Sequence, residues 1–448
     1  MTAARMFGQH FSSIKAEDLP GDGLAEMRRL LLDYCGVGLA GSRTDTGRIV
    51  ADLVVETGGA PQSTVLGRAA RIPAMHAAFA NAVAEHSIEL DDVDDEALFH
   101  YGPPVISAAL AVAEWQHATG TELLAAAFLG CEMTNRLSRA TNPALRNRGF
   151  HTTPACGVFG AAAAAGRLLG LDAAQMTSAL GLAGAQASGL MEMYGPSMQK
   201  RINPGPAARN GVTAALLAKR GFTGADTIFE GERGFGTAFS GHLDRDALLG
   251  GLGREFPVAV EYKPYSAARP IHNAIDCALQ IRQADGFDPA DVAAIVVRRH
   301  PAWAEYHLNP APGTYHEAQV SLPYSVAVAL VDGLALPGQY ADDQLARPEL
   351  VALSQRVQVI KDPTLPRGVS CHMSLTTRDG GSIEVQVDDP RGSLRNPMTD
   401  EDLGRKFAML AGPVIGDGPS RQMTDVIAHI DEVTDVSVLL ELAVPQGS

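Results

Sequence analysis

The stretch ACGVFGAAAAAGRLLGLDAAQMTSALGLAGAQA, residues 155–187, decides the fold class. It predicts a helix over residues 155–169 that ends at Gly170, followed by a second helix that Asp172 caps. Alanine and glycine dominate both helices, so neighbouring helix backbones can approach closely. We therefore expect these helices to be buried on most sides, at the centre of a helical domain.

Helical patterns continue on both sides of this stretch. Pro103 and Pro104 can open a helix over VISAALAVAEW. The next helix, TELLAAAFLGCEMTNRLSR, has Thr121 as its predicted N-cap without a full capping box, and a further helix follows over residues 206–219. Long helices joined by short connections predict antiparallel helix pairs.

The pattern changes near residue 257. Residues 292–300 and 356–362 carry β-branched runs, and SCHMSLTTRDGGSIEVQVDD predicts a hairpin that turns at Asp379-Gly380-Gly381. PYSVAVALVDG between them predicts a helix, and Thr399 caps a returning helical segment. The predicted fold class is mainly α: a large all-helical domain of residues 1–257 with 396–448, and a smaller α+β domain of residues 258–395.

Composition limits the possible partners. The chain has 448 residues, with 36 Lys+Arg against 51 Asp+Glu and a formal net charge of -15. Such a charge repels phosphate backbones and anionic lipid, so we expect neither a nucleic acid nor a membrane partner. Five cysteines without a Cys-x-x-Cys pair exclude a disulfide scaffold, and the N-terminus lacks the layout of a signal peptide. We expect a soluble, cytoplasmic protein.

The motif HSIELDDVDDEALFH, residues 86–100, concentrates six carboxylates in eight positions. If it is helical, His86, Glu89 and Leu90 share one face. The ordinary interpretation of an acidic run is a solvated surface. DDVDD also fits the pattern with which terpene synthases bind Mg²⁺ and diphosphate, but the chain has few aromatic residues and no second metal motif. We therefore predict no metal site.

Three further clusters contain residues that can act chemically. His151 precedes a helix that begins near Pro154, with Thr152 and Thr153 as its predicted caps. In YGPSMQKRINPGPAARNG, residues 194–211, basic side chains surround a Pro/Gly turn before a helix, which suits a carboxylate. In EYKPYSAARPIHNAID, residues 261–276, basic and aromatic side chains again precede a helix. Each cluster can also be purely structural. The candidates in the last two clusters are Lys200, Arg201, Arg209, Lys263, Tyr265, Arg269 and His272.

Over nearly the whole chain, the sequence resembles the MmgE/PrpD family. The segments that carry the resemblance are, in this order, HSIELDD, GFHTTPACGVFGAAAAAGRLLGL, PAARNGV, LLAKRGFTGADTIFEG, KPYSAARPIHNAID and RNPMTDEDLGRKF. That family includes 2-methylcitrate dehydratase, cis-aconitate decarboxylase and iminodisuccinate epimerase. The resemblance implies a helical domain built from both termini, an α+β lid and a homodimer. It also implies an active site between the domains that needs no metal or organic cofactor.

The resemblance carries over to individual positions. Glu89 occupies a position where members commonly have Asp, and Asp91 and Asp92 match paired aspartates. The remaining matches are the active-site residues His100, His151 and Lys200 and the lid histidine His272. Val93 departs from the family pattern, in which Thr is frequent, and this leaves the substrate open.

In each of the family's reactions, negative charge develops on a carbon next to a carboxylate. Lys200, Arg209 and helix N-termini suit the binding of carboxylates, and His151 or His100 suit proton transfer. Glu89 or Asp91 would orient a histidine or act as the base. We predict a hydro-lyase that acts on a small di- or tricarboxylate, with a decarboxylase or an epimerase as the alternatives.

Overall fold

The structure, a computed structural model, describes residues 1–193 and 197–445. It divides into two compact units. Unit 1 comprises the described parts of residues 1–194, 199–260 and 399–448, and unit 2 those of residues 195–198 and 261–398. The boundaries predicted from the sequence, after residues 257 and 395, lie three residues before the boundaries of these units.

The N-terminal part of unit 1 is helical apart from one short antiparallel pair of strands. Its helices are α1 (Ala3–Ser13), α2 (Gly21–Gly41), α3 (Asp45–Thr57), α4 (Ala74–Glu85), α5 (Ser107–Gln116), α6 (Gly120–Thr141), α7 (Ala144–Asn147), α8 (Thr152–Leu168), α9 (Ala173–Gly184), α10 (Gln199–Ile202), α11 (Pro204–Lys219) and α12 (Arg245–Leu249). The strands are β1 (Ser63–Thr64) and β2 (Arg71–Ile72).

Helix α8 forms the centre of unit 1, as its sequence predicted. It packs against α5, α6, α9 and α11, and every residue from 152 to 166 is buried. A Cβ at Gly160 would overlap Thr134 Oγ1 and the backbone oxygen of Gly130 on α6, and a Cβ at Gly211 on α11 would overlap the Cβ of Ala161. The glycines therefore set how closely the helices approach.

Two predicted helix starts had different outcomes. Asp172 caps α9, and its side chain accepts from the Gln175 N–H in a full capping box. The prediction of Thr121 as the cap of α6 is wrong. Thr119 is the N-cap, because its hydroxyl accepts from the Glu122 N–H while the Glu122 carboxylate accepts from the Thr119 N–H. The capping box places Thr121 inside the first turn.

Unit 2 is α+β. Its elements are α13 (His272–Arg282), β3 (Val292–Arg299), α14 (Tyr315–Ala318), α15 (Leu322–Asp332), α16 (Pro348–Ser354), β4 (Val357–Lys361), β5 (Cys371–Thr377) and β6 (Ser382–Val387).

The strands of unit 2 form one sheet in the order β4-β3-β5-β6, parallel between β3 and β4 and antiparallel elsewhere. In the register, Val297 pairs with Val359 on one side and with Met373 on the other. The predicted hairpin is confirmed as β5–β6, and α13 and α15 cover the sheet's buried face.

The C-terminal helices α17 (Asp400–Ile415), α18 (Asp417–Ala428) and α19 (Ser437–Glu441) complete unit 1. Thr399 caps α17 in a capping box with Asp402, as predicted. Helix α17 packs along α2, so this helix belongs to the core of the N-terminal part. Among the described residues, no helix combines the length and apolar character needed to cross a bilayer.

Candidate active site

The acidic motif is a sharp bend. Helix α4 ends at Glu85, a 3₁₀ turn covers His86–Ile88, and Glu89 adopts the left-handed region with φ 55°. The helix that would have put His86 and Glu89 on one face is therefore absent here. A left-handed conformation is uncommon for a residue with a side chain and requires support from its surroundings.

The interpretation of this motif as a solvated acidic run is wrong for most of its carboxylates. Glu89, Asp91, Asp92 and Asp94 are buried, and only Glu96 is exposed. Buried carboxylates require hydrogen bonds or opposite charges, so each one indicates a specific partner.

Asp91 joins two histidines. Its Oδ2 lies 2.7 Å from Nδ1 of His86 and 3.0 Å from Nδ1 of His100, and the His100 Nδ1 also contacts the backbone oxygen of Asp92. Because all these partners are acceptors, both histidines carry a proton on Nδ1. Burial lowers the pKa of His86 to about 3, although Asp91 opposes this, so His86 is neutral near pH 7.

Asp92 and Asp94 hold the loop that leads to His100. The Asp92 carboxylate accepts from the N–H groups of Tyr101 and Gly102 at 2.8 Å each, and burial raises the pKa of this carboxyl to about 7. Asp94 accepts from the Tyr101 hydroxyl at 2.8 Å and from the Asn135 amide at 2.7 Å. The loop leads into a π-helical turn over Gly102–Ile106, the kind of irregularity found at functional sites.

Glu89 forms ion pairs with two cationic side chains of α10. Its carboxylate pairs with the Lys200 ammonium, and Arg201 Nη1 lies 2.8 Å from Oε1 and also donates to the backbone oxygen of His86 at 3.2 Å. Residues 194–196, at the start of the motif that predicted this cluster, lie outside the described residues. Two cations on one carboxylate leave this trio with a net positive charge.

His151 is the N-cap residue of α8, and its carbonyl accepts from the Ala155 N–H. The prediction that Thr152 and Thr153 cap this helix is therefore wrong, since both lie in its first turn. The Thr153 hydroxyl instead accepts from the His100 N–H at 3.2 Å. Burial, together with His86, His100 and Arg146, lowers the pKa of His151 well below its usual value, while Asp91 opposes the shift.

These side chains lie around His86. Its ring is 5.1 Å from the ring of His100 and 6.2 Å from that of His151, and Lys200 acts on it electrostatically. The side chains of Lys200 and His100 are 11% and 13% exposed and His151 is 7% exposed, whereas His86, Asp91 and Glu89 are at most 1% exposed. Lys200, His100 and, to a smaller extent, His151 therefore keep some exposed surface, whereas the other three have almost none.

His86, Asp91 and His100 also bring three potential metal-ligand atoms within 4.8 Å of one another. Ligands about 2.1 Å from a tetrahedral zinc ion lie roughly 3.4 Å apart. The 2.7 and 3.0 Å separations here are shorter and match hydrogen bonds from the rings to the carboxylate. The geometry therefore fits a hydrogen-bonded cluster better than a metal site.

The other predicted site residues are described by their own contacts. Arg209 on α11 stacks over the Phe79 ring at 5.4 Å. In unit 2, Lys263 is buried, the Tyr265 hydroxyl donates to Asp276 at 2.5 Å, and Arg269 pairs with Glu261 at 2.8 Å. His272 is fully buried, with Nε2 2.9 Å from the Ala267 carbonyl oxygen. Catalytic roles for these residues stay predictions.

Sequence reasoning missed two supporting residues. Asn203 contacts His151, and Lys406 of α17 donates to the Leu90 carbonyl at 2.8 Å while pairing with Asp33 at 2.6 Å. Asn203 lies inside the motif of residues 194–211 and could have been noticed there. Lys406 lies 316 residues from Leu90, and no local pattern links the two.

Comparison with known protein families places the whole chain in one of them. The MmgE/PrpD N-terminal domain pattern matches residues 5–247 and the MmgE/PrpD C-terminal domain pattern matches residues 265–432, so the chain is a member of the MmgE/PrpD family.

Individual relatives narrow the class of activity. The chain is 28% identical to cis-aconitate decarboxylase of Aspergillus terreus, over 96% of this chain and 94% of the relative, and 28% identical to that of Homo sapiens, over 97% and 93%. It is 30% identical to 2-methylcitrate dehydratase of Cupriavidus necator, over 29% of this chain and 30% of the relative. Decarboxylation and dehydration are both lyase reactions, and the chain is an enzyme of this class.

Proposed function

We propose that this enzyme is a cofactor-independent lyase that acts on a small polycarboxylate by proton transfer next to a carboxylate. The observation that carries the proposal is a group of three side chains that keep some exposed surface, Lys200, His100 and His151, next to the fully buried network. A catalytic group must reach its substrate, so these three are the proposed catalytic residues. Asp91 and Glu89 are then positioning residues behind them.

The charge of the site supports an anionic substrate. Lys200 and Arg201 share the single carboxylate of Glu89, which leaves one net positive charge at this point of a chain with net charge -15. His151 lies at the N-terminus of the 17-residue helix α8, where the helix dipole also favours negative charge. Lys200 is the group that we assign to a substrate carboxylate.

Among the possible reactions we place decarboxylation of a cis-aconitate-like tricarboxylate first. The relatives that match along nearly the whole chain are cis-aconitate decarboxylases, whereas the dehydratase match covers 29% of the chain. In this reaction the bond to the departing carboxylate breaks as CO₂, and its electron pair delocalises into a neighbouring carboxylate held by Lys200. Protonated His100 then donates a proton to carbon and regains one from water.

Dehydration, the reaction favoured from the sequence, is the second candidate. The pairing of His100 with Asp91 supports it, because a carboxylate behind an imidazole stabilises the imidazolium that forms when His100 removes a proton from carbon. The Lys200 ammonium can protonate the departing hydroxide. This route needs both groups in one turnover, whereas decarboxylation needs only an electron sink and a proton donor.

The test is a ¹H NMR assay in D₂O with a panel that contains cis-aconitate, citrate, 2-methylcitrate and amino-dicarboxylates. Decarboxylation predicts loss of CO₂ and one solvent deuterium on carbon of the product. New vinyl signals with retention of all carboxylates would assign dehydration instead, and deuterium at Cα without a change of skeleton would assign an epimerase. No conversion of any polycarboxylate would contradict the proposal.

A further inference from the structure

The two accessible histidines have different neighbours at Nδ1. His100 faces the carboxylate of Asp91 and the carbonyl of Asp92, which are acceptors. His151 faces the side-chain amide of Asn203, whose Nδ2 lies 3.2 Å from the His151 Nδ1. An amide nitrogen donates and cannot accept, so the His151 Nδ1 is the acceptor of this hydrogen bond.

A second contact supports this orientation of the amide. The same Nδ2 lies 2.9 Å from the sulfur of Met193, and a thioether sulfur can only accept. The nitrogen of Asn203 therefore has two acceptors beside it. With the amide reversed, its oxygen would face the sulfur lone pairs.

We propose that Asn203 is a positioning residue that fixes the tautomer of His151, so that His151 presents Nε2–H to the substrate as a neutral hydrogen-bond donor. A neutral imidazole carries one proton, and an Nδ1 that accepts leaves that proton on Nε2. His100 has the opposite arrangement, because its proton on Nδ1 leaves Nε2 as the lone-pair side. The two rings thus differ: His151 offers the substrate a neutral N–H donor, and the Nε2 of His100 can gain and lose a proton.

The surroundings of each ring determine which one changes its charge. The groups that act on His151 include His86, His100 and Arg146, which disfavour its protonated form as burial does, and Asp91, which favours it weakly. Asn203 adds a donor where an imidazolium would need an acceptor. His100 has a carboxylate at the equivalent position, so proton transfer falls to His100 and charge stabilisation to His151.

The assignment of roles rests on the proposed function, but the tautomer can be measured without substrate. In ¹⁵N-histidine-labelled protein at pH 7, a two-bond ¹H–¹⁵N spectrum distinguishes Nδ1-protonated, Nε2-protonated and doubly protonated rings. The signals that disappear in His151→Gln assign the ring. We expect a neutral, Nε2-protonated His151, and an Nδ1-protonated or doubly protonated ring would overturn the proposal.

The variant Asn203→Asp tests whether Asn203 determines the tautomer of His151. A carboxylate accepts from Nδ1–H, so this variant should shift His151 to the Nδ1 tautomer, favour its protonation and lower kcat by roughly 10–100-fold with an altered pH profile. Asn210→Asp, on the helix that Asn203 precedes, is the matched control, because Asn210 accepts from Arg209 through its oxygen and a carboxylate can do the same. A His151 tautomer that is unchanged in Asn203→Asp would contradict the proposal.

The two claims can fail separately. The expected tautomer in a protein that converts no polycarboxylate would contradict only the proposed function. The wrong tautomer in a protein that converts one would contradict only the role of Asn203.

Discussion

Asp91 shows how much of the site depends on single atoms. One oxygen of its carboxylate receives hydrogen bonds from both His86 and His100 and sets the tautomer of each ring. The resemblance identified Asp91 as a site residue, but the sequence left open whether it orients a histidine or acts as the base. Its complete burial favours the orienting role, since a base must reach the substrate.

We predict that Lys200 binds a carboxylate of the substrate. A polycarboxylate such as citrate should raise the melting temperature of the protein, by an amount equivalent to roughly 2.7 kcal/mol at a concentration of about 100 Kd. Lys200→Met removes the charge but leaves Glu89 paired with Arg201, so the variant should fold and lose most of this shift. Differential scanning fluorimetry, with each variant compared with its own unliganded state, measures the effect.

Lys219→Met is the control for Lys200→Met. Lys219 is an exposed lysine of α11 that donates to the Leu169 carbonyl, and its removal should leave the ligand-induced shift intact. Equal shifts in the parent and in Lys200→Met would exclude Lys200 from the binding site.

At the scale of elements, predictions from local sequence succeeded at several caps and turns, although the caps assigned to Thr121 and to Thr152 and Thr153 were wrong. Asp172 and Thr399 cap their helices as their sequences indicate, and the Asp379-Gly380-Gly381 turn joins β5 to β6. They failed at the acidic motif, because its helical pattern continues past Glu85 while tertiary contacts bend the chain at Glu89. The partners of Asp91 and Asp92 lie within ten residues, but Glu89 and Asp94 also depend on side chains from distant helices, which no local pattern reveals.

Helix α17 contributes one such partner. Lys406 and Asp33 are at most 5% exposed, and their ion pair lies next to the Leu90 carbonyl that precedes Asp91. Lys406→Met would leave the Asp33 charge buried without its cation, so we expect a loss of about 3–5 kcal/mol in the free energy of unfolding, measured by urea denaturation.

Two further variants check the explanation for Lys406. Arg405→Met removes a 62%-exposed cation from the same helix and should change stability by less than about 0.5 kcal/mol. Replacing both partners, in Asp33→Asn with Lys406→Met, should recover part of the loss, because no charge is then left buried alone. A single Lys406→Met variant as stable as the parent would show that this pair does not anchor α17.

At the scale of the whole molecule, fold class and family followed from motif order along the chain, and both are confirmed. The choice between lyase reactions did not follow from the sequence. It depends on how a small number of side chains are oriented toward the substrate. The resemblance favoured dehydration through the family's commonest members, whereas relatives that match along nearly the whole chain are named cis-aconitate decarboxylases.

Metal dependence is a property of the whole enzyme. The His86–Asp91–His100 cluster has hydrogen-bond spacings, so turnover should survive dialysis against EDTA without loss. Rate measurements before and after dialysis, with Mg²⁺ and Zn²⁺ added back, check this. Loss of activity that a divalent cation restores would identify this cluster as a metal site instead.

The central claim is that His100, supported by Asp91, moves the proton in a lyase reaction on a polycarboxylate. The most direct measurement is the NMR time course in D₂O for the parent and for His100→Gln, with His117→Gln as the control. His117 is an exposed histidine whose Nδ1 lies 2.9 Å from Asp435 Oδ2, so it reproduces the histidine–carboxylate pair away from the site. We predict conversion by the parent and by His117→Gln at similar rates, and a kcat lower by about 10²–10⁴-fold in His100→Gln. A folded His100→Gln that converts the substrate as fast as the parent would contradict the account.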